Sequence, residues 1–286
     1  MGRASVTRSS SAVGAGRPAP RTGRWIVTGL AAIAAGFLAL PVVALVARTL
    51  VDGSLAHAVT TTVVLDALAL SLATTAASLV LTVTFGLPLA FVLARRRFRG
   101  SGLLEVIVDL PIVLPPAVAG LALLIAFGRR GVIGGSLQAL GIEIPFTVLA
   151  VVLAQTFVSA PFFILSARTG IAAVDRDLED AARVDGASEA QLFRSITLPL
   201  AGTAIAAGLV MAWARALGEF GATIMFAGNV EGRTQTLPLA VYSEFQGGNL
   251  DASIAAAAIL VLAAFGVLVA VRFLHWGRVF ELRSLG

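Results

Sequence analysis

Apolar residues run in long blocks along this chain, separated by short segments rich in arginine, glycine and acidic residues. Six blocks reach the length of about 20 residues that a helix needs to cross the hydrocarbon core of a bilayer. They are 25–47, 66–94, 103–127, 146–167, 198–227 and 252–274. None shows the period-two alternation of a membrane-barrel strand, and an open sheet would leave backbone groups unsatisfied in lipid. The pattern predicts an all-α integral membrane protein with six transmembrane helices. The first block, 23 residues long, exceeds the apolar core of a signal peptide and predicts a retained helix. Pro111, Pro115 and Pro116 lie inside the third block, and a proline inside a helix removes a donor and clashes with the preceding turn, so a kink is expected there. The fifth block spans ~45 Å as a helix, longer than a straight crossing needs, and a break is expected near Gly218 or Gly221.

Charge then gives the threading. All 21 basic residues are arginine. With the N-terminus inside, the cytoplasmic segments carry Arg3, Arg8, Arg17, Arg21 and Arg24, then Arg95, Arg96, Arg97 and Arg99, then Arg168, Arg176, Arg183 and Arg194, then Arg272, Arg278 and Arg283. The outer segments carry Arg48, Arg129, Arg130 and Arg233, and Arg215 falls within the fifth span. Sixteen against four follows the positive-inside rule and places both termini in the cytoplasm. The expected organisation is a disordered basic tail at 1–24, a first transmembrane helix and outer loop at 25–57, a main transmembrane domain at 58–275 and a cytoplasmic C-terminal tail at 276–286. The tail at 1–24 holds Ser, Gly, Pro and Arg with no acid, and nothing in it could bury a core.

Composition narrows the function. Only 13 % of the 286 residues are charged, against about 25 % in soluble domains, and the mean hydropathy is +0.93. The chain has no lysine, which a P-loop requires for nucleotide phosphates, so it is not itself a P-loop ATPase. It has no cysteine, which excludes disulfides, iron–sulfur clusters and thiol chemistry. His57 and His275 are too distant in sequence to suggest a metal site. No catalytic set and no metal-ligating set is visible.

The segment 175–199, DRDLEDAARVDGASEAQLFRSITLP, is polar and cytoplasmic yet patterned like two packed helices. Asp177 is expected to cap the first, with Asp180 near its third position, and Gly186 to end it. Ser188 and Gln191 have the spacing of a capping box that opens the second. Ala181, Ala182, Leu192, Phe193 and Ile196 supply an apolar face. Small residues at 181 and 182 leave room for another protein surface. The segment reads as a helix-turn-helix with an exposed docking surface; taken alone, the pattern also suits an ordinary amphipathic loop or, less readily, a nucleic-acid-binding helix-turn-helix.

These residues resemble the EAA motif of bacterial ABC-transporter permease subunits: Glu-Ala-Ala, three residues, Gly, nine residues, Ile-x-Leu-Pro. Here the positions are Asp180, Ala181 and Ala182, then Gly186, then Ile196, Leu198 and Pro199, with every spacing kept. Asp180 replaces the glutamate with a shorter carboxylate. The resemblance implies a subunit without catalytic chemistry or cofactor of its own, working in the bacterial cytoplasmic membrane. Its implied partners are two copies of an ABC ATPase subunit that binds ATP and Mg, an extracytoplasmic binding protein, a second copy of this chain and the surrounding lipid. It also implies that 175–199 sits in a cleft of the ATPase and passes nucleotide-driven closure to the spanning helices.

A second resemblance covers ARALGEFGATIMFAGNVEGRTQTLPLAVYSEFQ and extends to DLPIVLPPAVAGLALL in the third block. It is similar to the molybdate permeases of the molybdate, tungstate and sulfate importer family. GEFGA at 218–222 is shared by permeases for all of these oxyanions, whereas 228–242 looks closer to molybdate. The implied substrate is molybdate, with tungstate or sulfate/thiosulfate as alternatives. An ion-coupled secondary transporter, the reading from another class, would call for an inverted repeat and an intramembrane coupling residue, and no repeat is visible.

Arg215 and Glu219 stand four apart, on one helix face at a depth where a lone charge is costly. They read as an ion pair, with Arg215 also open to contact an anion. Thr223, Asn229, Thr234 and Gln235 place neutral donors toward the outside. They suit either loop capping or an oxyanion that must be released again. Glu105 and Asp109 open the third span near Arg95 to Arg99 and read as structural anchors eased by the helix dipole, with a role in transport as the alternative.

Overall fold

The computed structural model describes residues 21–53, 61–96 and 98–283, with side chains from Trp25 to Val269 within those stretches. The expected tail at 1–24 lies almost wholly outside the described residues, as does most of the outer loop up to 57. The chain divides into two units, Met1–Ala44 and Leu45–Gly286. The first contributes the start of α1 (Arg21–Val51), and the rest of the fold belongs to the second.

In chain order the second unit continues with α2 (Thr62–Arg95), α3 (Ser101–Val113), α4 (Pro116–Phe127), α5 (Gly134–Ala139) and α6 (Val148–Ala172). Next come α7 (Arg176–Val184), α8 (Glu189–Leu192), a π-helical turn (Phe193–Thr197) and α9 (Leu198–Leu200). It ends with α10 (Gly202–Leu217), α11 (Gly221–Phe226), α12 (Leu237–Gln246) and α13 (Leu250–Arg283). The described residues contain no strand. The last helix continues to Arg283, through most of the stretch expected as a tail.

Four described helices are long and apolar enough to cross a membrane, Trp25–Val51, Thr62–Arg95, Val148–Ala172 and Leu250–Val269. A fifth candidate is a pair, Glu189–Leu200 and Gly202–Leu217, bent by 72°. The third expected span is not a kinked helix but two helices, because Leu114 precedes Pro115 and takes an extended conformation at ψ 130°, as a residue before proline prefers. Pro116 then starts α4 at the position where a missing donor costs nothing. The fifth expected span breaks where the glycines predicted, with α10 stopping at Leu217 and α11 starting at Gly221.

Helix α6 is the hub. Its Ala150, Val151, Ala154 and Val158 pack with Ala119, Leu123, Ala222 and Phe226 of α4 and α11. Its Phe163, Ile164, Ala167 and Ile171 pack with Ala90, Leu93 and Ala212 of α2 and α10. A third cluster joins Val64 and Ala67 of α2 to Leu237, Ala240, Ala255, Ala256 and Ile259 of α12 and α13. Since lipid is as apolar as a leucine core, packing in a membrane depends on close fit and on hydrogen bonds between helices. Both are present. Ser166 and Gly170 of α6 face Ala204 and Gly208 of α10, and the Ser166 hydroxyl donates to the Ala204 carbonyl at 2.7 Å. Toward α2, Gln155 donates to Thr75 at 3.4 Å and Thr156 to Ser78 at 3.2 Å.

The contact at Gly208 leaves no room, since a Cβ there would lie 2.8 Å from the Ser166 Cβ. Gly208→Leu is therefore expected to lower the melting temperature of the detergent-solubilised protein, at a cost of about 1–3 kcal/mol for overpacking. Gly266→Leu, where a Cβ meets nothing within 4 Å, should leave it unchanged. Equal melting of the two variants would contradict the packing described.

Candidate functional site

The segment 175–201 is built from local chemistry. Asp175, not Asp177, caps α7, its carboxylate accepting from the Asp177 amide at 3.0 Å. The expectation was two residues late because Asp177 and Glu179 are acids of the first turn, where the helix dipole also favours them. At the other end Gly186 has φ +87°. The Ala187 amide donates to the Ala182 carbonyl and that of Gly186 to Arg183, the paired bonds of a Schellman stop. The capping box is closed, with the Gln191 amide donating to Ser188 Oγ at 3.3 Å and the Ser188 amide to Gln191 Oε1 at 2.9 Å. Arg183 ties the two helices together, through Nε to Glu189 at 2.8 Å and through a terminal nitrogen to Asp180 at 2.6 Å.

Ile196, Leu198 and Pro199 lie in and just after the π-helical turn. Pro199 has no amide to give the Ser195 carbonyl, and its ring crowds that turn. The turn widens, and the Leu198 amide donates to Phe193 five residues back. Here the chain bends from α9 into α10.

Helix α7 is inverted relative to ordinary amphipathic packing. Val184 is 88 % exposed, and Leu178, Asp180 and Ala181 are exposed too, whereas the acid Glu179 is only 3 % exposed. Glu179 Oε1 accepts from Arg95, the last residue of α2, at 2.6 Å and from the Thr197 hydroxyl at 2.9 Å. Arg95 also donates to the Val174 carbonyl at 3.2 Å. Sequence reasoning missed this network, reading Arg95 as one more inside arginine; the signal available was an acid on the helix face opposite the stripe of Leu178, Ala181 and Val184. Of the expected apolar face, Leu192 is buried, while Ala181 points outward.

The other candidates fall in two groups. Arg215 and Glu219 pair at 2.6 Å. Glu219 is 1 % exposed and accepts from the Ala222 amide at 2.7 Å, so it also caps α11 after the break. The Arg215 side chain keeps 27 % exposure. Thr223, on α11, is buried with its hydroxyl unpartnered among the described residues. In the loop 227–236, Asn229 and Gln235 both donate to Ser243, at 2.7 and 3.2 Å, and Thr234 Oγ1 accepts from the Val230 amide at 3.0 Å. These three therefore brace the loop. Glu105 pairs with Arg168 of α6 at 2.8 Å, a neighbour its sequence position did not suggest.

The Arg183 guanidinium, by hydrogen bonding, holds the exposed Glu189 carboxyl below its ordinary value, with slight desolvation opposing. A depressed carboxyl stabilises the joined helices above its unfolded pKa of about 4.3, and that contribution fades as pH falls through the lower folded value. Arg183→Gln is expected to return Glu189 to the ordinary range, read by carbon NMR of glutamate-labelled protein. An unchanged titration would contradict the bond.

Residues 86–275 match the family model described as the binding-protein-dependent transport system inner membrane component. The chain is similar to the molybdenum transport system permease protein ModB of Mycobacterium tuberculosis, 45 % identical over 250 residues, covering 87 % of this chain and 93 % of that one. It is similar to ModB of Escherichia coli (strain K12), 40 % identical over 207 residues, covering 71 % and 90 %. Its fold resembles a crystal structure of a bacterial ABC transporter involved in import of the acidic polysaccharide alginate, with TM-score 0.70 and 18 % identity over 88 % of this chain and 96 % of that one. The broken spans, the helical hub and the capped segment 175–201 are thus those of a chain that belongs to the family of binding-protein-dependent transport system inner membrane components.

Proposed function

We propose that this chain is the permease subunit of an ATP-driven importer that carries molybdate across the bacterial cytoplasmic membrane. It is a transport component rather than an enzyme. Two copies line a pathway, two ATPase subunits that bind ATP and Mg sit on the side of segment 175–199, and an extracytoplasmic binding protein delivers the anion to the other side. Both termini are cytoplasmic in this reading. The observation that carries it is the exposed stripe of Leu178, Ala181 and Val184 on α7, an apolar surface displayed in a charged segment where the family resemblance expects the ATPase cleft. Molybdate rests on the similarity to the two permeases named above.

In this reading Asp180, Ala181, Ala182 and Gly186 shape the docking corner. Ile196, Leu198 and Pro199 form the turn that hands motion to α10. ATP on one side and the loaded binding protein on the other bias a two-state equilibrium between inward-facing and outward-facing pathways. Glu219 fixes the break between α10 and α11, and Arg215, partly exposed beside it, is the candidate anion contact. Thr223 lies beyond the break, on α11, and Asn229, Thr234 and Gln235 hold the loop at the outer end.

The primary test is uptake of radiolabelled molybdate in a strain lacking its own system, expressing this chain with its ATPase and binding protein. Uptake should vanish with a hydrolysis-dead ATPase and be blocked by tungstate but not by sulfate. Sulfate uptake would overturn the substrate, and indifference to the ATPase would overturn the mechanism. Gly186→Arg should leave the protein inserted but abolish co-purification of the ATPase. Gly186→Ala carries the strain of positive φ, roughly 1–2 kcal/mol, without the bulk, and should retain it; normal co-purification with Gly186→Arg would remove the docking assignment.

Arg215→Ala is expected to abolish uptake with assembly intact, and adding Glu219→Gln should not restore it. Restoration in the double variant would make the pair purely structural.

A further inference from the structure

We propose that Arg95, Glu179 and Thr197 form a latch through which segment 175–201 moves α2, and that α2 then carries the motion to the loop 227–236 at the other end of the bundle. The proposal deepens the reading above, since it takes α7 to be the ATPase docking helix. Its three residues are positioning residues for coupling; none of them contacts the transported ion.

The latch is a buried polar knot in an exposed segment. Asp175, Asp177, Asp180, Asp185 and Glu189 are all exposed, and Glu179 alone among the described acids of that segment is buried. Its Oε1 takes one bond from Arg95 of α2 and one from Thr197 of the π-helical turn, so one carboxylate joins both arms of the segment to the end of a third helix. Arg95 completes the knot through the Val174 carbonyl. One turn earlier on α2, Phe91 meets Phe193 edge to face at 5.3 Å. The last turn of α2 is therefore held by an apolar contact and a charged one.

The apolar contact would suffice to seat the helix. A buried ion pair gives little net stability, because desolvation offsets most of the attraction. What it adds is geometry: short charge-assisted bonds resist the sliding and rotation that an aromatic contact permits. The widened turn forced by Pro199 holds Thr197 within reach of Glu179. Leu178 and Val184, the exposed apolar residues of α7, lie on the same short helix as Glu179. Pressure on the docking face reaches the latch within two helical turns.

Helix α2 runs unbroken from Thr62 to Arg95, with Pro88 inside it seven residues from the latch. Near its other end, Ser71 accepts from the Leu237 amide at 2.7 Å, and Leu237 opens α12 directly after the loop that holds Asn229, Thr234 and Gln235. The two attachment points lie ~36 Å apart along the helix. Helix α10, which follows the segment covalently, is the rival route, but the 72° bend that precedes it interposes a joint.

The test uses the full chain assembled with its ATPase subunits in proteoliposomes, comparing Glu179→Gln, Arg95→Lys and Thr197→Val with wild type. ATPase co-purification, hydrolysis rate and anion uptake are measured on the same preparations. A working latch predicts retained co-purification and hydrolysis with uptake reduced roughly tenfold in Glu179→Gln, a rise in ATP consumed per ion. Arg95→Lys, which keeps the charge, should recover part of the loss. Uptake and hydrolysis falling by one common factor, or neither falling, would overturn the proposal. Because the chain has no cysteine, spin labels placed at Asp66→Cys on α2 in each of the two copies of the assembly give a second reading. Their separation should change with nucleotide in the wild-type background and stay fixed with Glu179→Gln; a separation that responds equally in both would also overturn the latch. Absence of ATP-dependent uptake in the wild type would instead count against the function proposed above.

Discussion

The close approach of α6 to its neighbours is the contact on which the rest of the bundle depends. In lipid there is no hydrophobic gain from bringing two apolar helices together, so they associate through dispersion at short range and through hydrogen bonds between them. Ser166 and Gly170 against Ala204 and Gly208 bring α6 and α10 nearly backbone to backbone. A hydroxyl ladder of Ser71, Thr74, Thr75 and Ser78 on α2 is fully buried, and part of it reaches α6 through Gln155 and Thr156. With α6 fixed on both sides, the irregular pieces around it acquire a rigid reference.

Those irregular pieces obey the same constraint from the opposite direction. Wherever a helix breaks inside the apolar zone, freed backbone groups need partners that water cannot supply. The break after α10 is closed by Glu219 on the Ala222 amide, and the start of α12 by Ser71 on the Leu237 amide. Polar side chains at these depths thus have a structural duty before any transport role. That is why Asn229, Thr234 and Gln235, which looked from sequence equally suited to an anion or to a loop, are found bracing the loop, while Arg215 keeps donors to spare.

Much of the architecture was legible in the sequence, because the signals were strong and local. Long apolar blocks, the Ser188 and Gln191 spacing, Gly186 at a helix stop and the glycines at 218 and 221 each point to one backbone outcome. The third span was harder to read: prolines announce a disturbance, but whether Pro115 bends a helix or divides it depends on whether neighbouring α11 and α6 can pack against two short pieces. The orientation of α7 was harder still. Helical periodicity identifies which residues share a stripe, yet not which stripe faces inward when one side is meant for another protein. The small residues at 181 and 182 were read as room for another protein surface, and Ala181 is indeed exposed, but nothing in the pattern gave Glu179 a role.

The inversion of α7 has a physical logic. A segment that must bind a partner has to leave apolar surface uncovered, so the hydrophobic effect cannot also be what holds it to its own fold. The remaining ways to anchor it are specific polar bonds, and these need burial to be strong enough to matter. Glu179, Arg95 and Thr197 supply that anchor on the face turned away from Leu178 and Val184. An apolar anchor would have produced a helix attractive on both faces and indifferent to rotation about its axis. The charged one defines which face looks out, and in the reading proposed above the interaction that orients that face is also the one placed to transmit force from it.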